Sequence, residues 1–307
     1  NDLPLEGDLN ILNYIYYFNG GGVAAGDVNN DGLVDLYFTG NQVSSKLYLN
    51  KGGFQFEDIT KRSNTTTTSW ASGAAMIDIN ADGWLDIYVC VSGSTDSNKR
   101  KNQLFVNQKD GTFNEMAEAY NLADTSYSTQ AAFFDYDLDG DLDMYLLNHM
   151  HEMEGLNTPK NKKLNGESEN TDKLYRNNGL GDNGHPLFED VSKEAGITIE
   201  GFGLGVGISD INQDGYPDIY VSNDFVSNDI LYINQGNGTF KNEIETSIKH
   251  QSHNGMGNDI ADINNDGFSD ILVMDMLPAT NAKKKTMLSK PNYDFFEYGK
   301  YLGYQPQ

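Results

Sequence analysis

The sequence predicts an all-β fold, a β-propeller of four-stranded antiparallel blades, and three observations predict it. A nine-residue stretch reading Asp-x-Asn/Asp-x-Asp-Gly-x-x-Asp recurs at 27–35, 78–86, 135–143, 210–218 and 262–270. Successive copies start 51, 57, 75 and 52 residues apart, and a period near fifty filled with strands has the size of a propeller blade. Each copy is entered from small or apolar residues and left through an apolar run such as Leu36-Tyr37-Phe38 or Ile87-Tyr88-Val89, so each joins two strands as a hairpin.

The elements of a repeat follow in order. The strand entering the loop is poor in bulk (Gly20 to Gly26, Ser72 to Ala75, Gly203 to Gly207), as an innermost strand crowding a central axis must be. Gly203-x-Gly205-x-Gly207 leads into no helix, so a dinucleotide site is excluded. The strand leaving the loop is apolar. A third strand recurs as Lys46 to Asn50, Gln103 to Asn107, Lys173 to Asn177 and Ile230 to Asn234, and a fourth opens at Phe56, Phe113, Phe188 and Phe240 after a glycine-rich turn. In such a meander the loops between strands 1 and 2 share one rim with those between strands 3 and 4. Length variation falls at the opposite end: an insertion at 148–172, a shorter one at 92–102 and another at 275–287. Variable loops on a rigid scaffold carry recognition, which places function on that opposite face.

The recurring loop has the chemistry of a metal site. Oxygens at positions 1, 3 and 5 converge, glycine at position 6 allows a positive φ, position 7 offers its carbonyl and position 9 closes the shell. The expected ligands are Asp27, Asn29, Asp31, Leu33 and Asp35; Asp78, Asn80, Asp82, Trp84 and Asp86; Asp135, Asp137, Asp139, Asp141 and Asp143; Asp210, Asn212, Asp214, Tyr216 and Asp218; and Asp262, Asn264, Asp266, Phe268 and Asp270. So many hard oxygens suit calcium, about five ions in all, better than magnesium, which keeps its water. These are not EF-hands, because position 12 holds Phe38, Val89, Leu146, Val221 and Val273 where the EF-hand needs a bidentate glutamate. Asn-Asp-Gly is also an ordinary turn sequence, but five copies sharing the final aspartate outweigh that reading.

Composition bounds the rest. The 307 residues include 45 acids and 21 Lys or Arg, for a formal charge of −24. Seventeen of the acids sit in the five loops, so calcium is expected to be structural. Such acidity excludes a general electrostatic attraction to nucleic acid and disfavours anionic membranes. The basic runs at 99–101, 160–163 and 283–285 read as solvated loops. The single cysteine, Cys90, lies in an apolar run and reads as a small buried hydrophobe; calcium loops of this kind point outside the cytosol. No leader or membrane span is visible, and a chain opening at Asn1 without Met suggests processing or truncation. No catalytic constellation is found. The candidates for ligand or partner binding are Trp70, His149, His151, His250 and His253, with Tyr127 a further ring for a sugar to stack on.

The loops and the Leu-Tyr-x-Asn strands resemble the FG-GAP/VCBS repeat family, whose hairpins build calcium-bound β-propellers like the integrin α-subunit head. The match covers about residues 20 to 276. The wording Asn19-Gly20-Gly21-Gly22-Val23, Phe134-Asp135-Tyr136-Asp137 and Ala261 to Gly267 is similar to large exported VCBS proteins of Bacteroidota that carry an ASPIC/UnbV region. The resemblance implies a ring commonly of seven blades, of which a single domain over 1–307 with five loops would be an incomplete part. It also implies export to the outer membrane or cell surface, in places as a lipoprotein, within a protein complex such as those beside TonB-dependent transporters. Carbohydrate binding or polysaccharide cleavage is the alternative, since lectins and lyases use similar propellers.

Overall fold

The computed structural model describes residues 10, 14–149, 161–225, 227–276, 280, 282–283 and 298–304. Within them the chain is all-β, with four four-stranded sheets and one two-stranded sheet. The first sheet holds β1 (Val23–Gly26), β2 (Asp35–Phe38), β3 (Lys46–Asn50) and β4 (Phe56–Asp58); the second holds β5 (Trp70–Ile77), β6 (Asp86–Ser92), β7 (Gln103–Asn107) and β8 (Phe113–Glu115). The third holds β9 (Ser128–Phe134), β10 (Asp143–Asn148), β11 (Lys173–Leu180) and β12 (Pro186–Asp190). The fourth holds β13 (Gly203–Ser209), β14 (Asp218–Asn223), β15 (Ile230–Asn234) and β16 (Phe240–Asn242). The fifth repeat differs from the four-stranded expectation: β17 (Gly255–Ala261) and β18 (Asp270–Asp275) form a hairpin with no third or fourth strand among the described residues.

The strands lie in two compact units. One comprises Asn1–Phe133, Gly140–Leu146 and Leu174–Val191 and carries the first two sheets and most of the third; the other comprises Phe134–Asp139, Leu147–Lys173 and Ser192–Gln307 and carries the fourth and fifth. No described helix is long and apolar enough to cross a membrane.

The apolar second strands are explained by burial on both faces. Side chains alternate across a strand, and β6 sends Ile87 and Val89 into a core with Tyr37, Leu47 and Phe105. It sends Tyr88 and Cys90 into another with Leu146, Tyr175 and Phe188. Burial also pushes the Cys90 thiol far above its ordinary range, so it is an inert packing group. The small first strands are explained by close approach between neighbouring sheets. Gly22 N donates to Ser72 O at 2.6 Å, and a Cβ on Gly205 would stand 2.7 Å from the Gly257 Cα. Those two glycines are therefore required by backbone-to-backbone packing.

Candidate functional site

The five hairpin loops share one internal frame. The position 1 carboxylate accepts the amide of position 5, at 3.1 Å for Asp27, 2.9 Å for Asp78, 3.1 Å for Asp135, 3.0 Å for Asp210 and 3.1 Å for Asp262. Its second oxygen accepts the position 6 glycine amide at 2.7 to 2.9 Å in the first, second, fourth and fifth loops. Position 5 in turn accepts the amide of position 7, as from Asp31 to Leu33, Asp82 to Trp84, Asp214 to Tyr216 and Asp266 to Phe268. Glycine at position 6 takes φ of +84, +85, +99, +94 and +88°. Position 4 is also left-handed, at Asn30, Ala81, Leu138, Gln213 and Asn265. Asparagine tolerates that region, whereas leucine carries a cost of about 1 kcal/mol or more there. The sequence offered no sign of this second turn point except that three of the five residues are amides.

The closing aspartate does two jobs. Asp35, Asp86, Asp143 and Asp218 are completely buried, and each accepts the amide of the third-strand asparagine (Asn50, Asn107, Asn177 or Asn234) at 2.7 or 2.8 Å. In the first, second and fourth loops the other oxygen takes the position 2 amide of the same loop. Each oxygen keeps a further lone pair, so the frame does not prevent cation binding. Burial raises the Asp86 carboxyl to about 7 against its two backbone hydrogen bonds, with the charges of Asp82 and Asp78 adding to the rise, and Asp35 and Asp218 are raised by burial in the same way. A divalent cation among these groups would reverse that balance. In the third loop Asp135, Asp137 and Asp143 each bring one oxygen within 4.8 Å of the others. Three carboxylates at that separation fit a hard divalent ion, and the extra acid Asp141 at position 7 is half-buried.

The asparagine of the Leu-aromatic-x-Asn strand proves to be a clamp between sheets. Asn107 Nδ2 donates to Leu85 O at 3.1 Å in its own loop and to Val28 O at 2.8 Å in the loop of the first sheet. In the other unit Asn234 Nδ2 repeats the pair with Pro217 O and Tyr136 O. Neighbouring loops also touch directly, through Asn30 Nδ2 to Gly83 O at 3.0 Å and Gln213 Nε2 to Gly267 O at 2.6 Å.

The residues expected on the opposite face fare differently. Trp70 is 6% exposed, its ring 5.5 Å from Tyr14 and 5.4 Å from Tyr17, where the 3₁₀ turn Ile15–Phe18 covers it. Stacking on a sugar is therefore closed to it. Tyr127 is equally buried, with the Arg100 guanidinium 3.8 Å from its ring centroid. Arg100 is itself buried, donating to Thr125 O and Ser94 O, so that basic run is no simple solvated loop. His149 is 1% exposed and unavailable as a surface ligand. His250 and His253 are exposed, and His151, with most of the 148–172 insertion, lies outside the described residues.

A second site recurs in the four complete sheets. Two residues before the leucine of each third strand stands Ser45, Asn102, Asp172 or Asp229, and each side chain accepts the amide five residues past the closing aspartate: Gly40, Val91, Asn148 and Asn223. Asp229 is completely buried and also accepts the Tyr220 hydroxyl at 2.7 Å. Burial pushes its carboxyl up to about 6 against those two hydrogen bonds, with Asp275 adding to the rise. A folded-state value above the unfolded one means that this group's stabilising contribution is full below about pH 4 and lost as pH rises towards 6. Asp229→Asn, which copies the neutral Asn102 arrangement, is therefore expected to gain about 1 kcal/mol or more over the parent at pH 7.5 and little at pH 4. Urea midpoints of the two proteins at both pH values measure it, and a gain independent of pH would refute the assignment.

No curated protein matches the chain. Among solved structures it is similar to an Agrocybe aegerita lectin recognising non-reducing terminal N-acetylglucosamine, at 16% identity and a TM-score of 0.44 over 81% of this chain and 59% of that one. It is also similar to the V. cholerae biofilm matrix protein Bap1, at 14% identity and a TM-score of 0.38 over 85% of this chain and 35% of that one. The chain thus spans less than two thirds of either. The FG-GAP-like repeat model matches residues 27–89, 90–146 and 210–273, more than half of the sequence, with the hairpin loops described above inside each match. The chain belongs to the FG-GAP-like repeat family.

Proposed function

We propose that the chain is a non-enzymatic, calcium-stabilised module for binding and assembly at a bacterial cell surface, serving as a component of an outer-membrane complex of the kind found beside TonB-dependent transporters. The observation that carries this reading is the donor set repeated in five loops of one frame, with three carboxylate oxygens of Asp135, Asp137 and Asp143 within 4.8 Å of one another. In each loop the side chains at positions 1, 3, 5 and 9 and the carbonyl at position 7 would hold the ion, which supplies positive charge and no reaction step. Ions filled at roughly 10⁻⁴ to 10⁻³ M calcium belong outside the cytosol, which supports export and surface exposure. The repeat supplies rigidity, and the partner is met by the long connections at the end opposite the loops, with 148–172 the longest.

Metal content tests the reading. Protein purified in calcium without chelator and desalted is expected to retain about five calcium ions per chain by plasma mass spectrometry, with no zinc or copper. Calcium at background level would overturn it, as would finding the native protein only in the cytosolic fraction.

A further inference from the structure

One turn departs from its counterparts, and it does so beside an ion loop. The second residue after the third-strand asparagine is Gly52, Lys109, Gly179 and Gly236 in the four complete sheets. Each donates its backbone amide to that asparagine's Oδ1, at 2.9 Å from Gly52 and Lys109 and 3.0 Å from Gly179 and Gly236. Each is left-handed, with φ of +77, +65, +73 and +65° in the same order. Glycine takes that conformation freely, whereas the Cβ of a lysine is strained in it. The turn itself therefore gives no reason for a lysine. The side chain does: the Lys109 ammonium stands 3.4 Å from Oδ2 of Asp82, the position 5 acid of the second loop. Among the described residues, no lysine or arginine pairs with an aspartate of the first, fourth or fifth loop.

We infer that Lys109 is a tethered cation that competes with the metal ion for the second loop, weakening the loop's hold so that its ion exchanges as calcium varies. This rests on the calcium reading proposed above. Asp82 is an expected ligand whose Oδ1 already accepts Trp84 N at 3.0 Å, and the ammonium occupies the neighbourhood of its other oxygen. A positive charge fixed beside a ligand repels a divalent ion. The lysine side chain is 48% exposed and the aspartate's 24%, so water screens the repulsion to about a tenfold change in binding constant. The same contact supports the empty loop, because the ammonium offsets the repulsion among Asp78, Asp82 and Asp86 that the ion otherwise offsets. The second loop is thus built to be vacated. Its amide contact from Asn30 Nδ2 to Gly83 O ties that exchange to the loop of the first sheet.

The second loop carries its own reporter. Trp84 is its position 7 residue, and the chain's other tryptophan, Trp70, lies at the far end of β5, the strand that enters the loop. Terbium, a hard ion that accepts the same oxygen ligands, is titrated into the calcium-free 307-residue protein at fixed ionic strength. Emission is excited where tryptophan absorbs and tyrosine does not. Lys109→Gln, which removes the charge and keeps a side chain at the left-handed position, is expected to lower the half-saturating terbium concentration about tenfold. Lys109→Gly, which copies the other three turns, should lower it as much. Lys61→Gln removes an exposed lysine outside the loops and should leave it within about twofold of the parent. Equal binding by the parent and Lys109→Gln overturns the inference, as does an equal gain from Lys61→Gln, which would make the effect one of net charge. A gain in Lys109→Gly alone overturns it too, since backbone strain would then be the cause. Absence of sensitised emission from every variant would remove the calcium reading of this loop together with the inference.

Discussion

Chelation of calcium is expected to lower the melting temperature by roughly 10 °C or more, reversibly on adding calcium back and much less completely on adding magnesium. The size follows from linkage. An ion held at about 100 times its dissociation constant adds about 2.7 kcal/mol to the folded state. The unit containing β1 to β8 has two complete loops, and weak sites in 10 mM calcium would contribute about 3 to 5 kcal/mol between them. For a body of this size each kcal/mol moves the midpoint by roughly 2 to 4 °C. Electrostatics adds to the loss, because each emptied loop leaves at least three aspartates together in a chain of net charge −24. Added sodium chloride should recover part of the apo protein's stability by screening the exposed members of each cluster, but little at the buried closing aspartates. A melting curve that EGTA leaves unchanged at low salt would sink the structural role of the loops.

Much of this architecture was legible because the sequence repeats its own punctuation. Asp-x-Asn-x-Asp-Gly-x-x-Asp marks both ends of a hairpin, and the phenylalanines at 56, 113, 188 and 240 begin or lie within β4, β8, β12 and β16. What stayed hidden depends on which residue meets which across the fold. Trp70 reads as an exposed ring in a polar link, and only the arrival of Tyr14 and Tyr17 from a distant segment buries it. The position 4 turn point could not be read from Ala81 or Leu138, since neither residue favours a positive φ and the closed loop imposes it. Ser45, Asn102, Asp172 and Asp229 form no visible motif because they share a role and not an identity. The common requirement is one acceptor for one amide, and a hydroxyl, an amide or a carboxylate satisfies it. Their constant place two residues before the leucine was the available signal.

The largest single-residue effect is expected at the asparagine clamp, and the chain supplies its own control. Asn107 is 3% exposed; its Nδ2 bridges Leu85 O and Val28 O, and its Oδ1 accepts Lys109 N at 2.9 Å. Asn50 stands at the same place in the first sheet and keeps two of these bonds, from Nδ2 to Val34 O and from Gly52 N to Oδ1, in a more exposed setting. The difference between the two is the reach to a neighbouring sheet and the depth of burial. Asn107→Ala abandons two carbonyls and an amide at a buried junction, where each orphaned group costs about 1 to 3 kcal/mol before relaxation. A net loss of about 3 kcal/mol is expected, against about 1 kcal/mol for Asn50→Ala, where water replaces the lost partners. Both residues lie in the same compact unit, so one urea titration monitored at the same wavelength compares them directly. Asn107→Asp should be worse than alanine, because it turns two donor contacts into a carboxylate facing carbonyl oxygens and sets a further negative charge beside Asp86. Calcium cannot rescue that variant if the clamp acts as described, since the added charge points at the backbone of two loops. Equal destabilisation by the Asn50 and Asn107 alanine variants would mean that the contact between sheets contributes nothing and that the motif serves only its own hairpin.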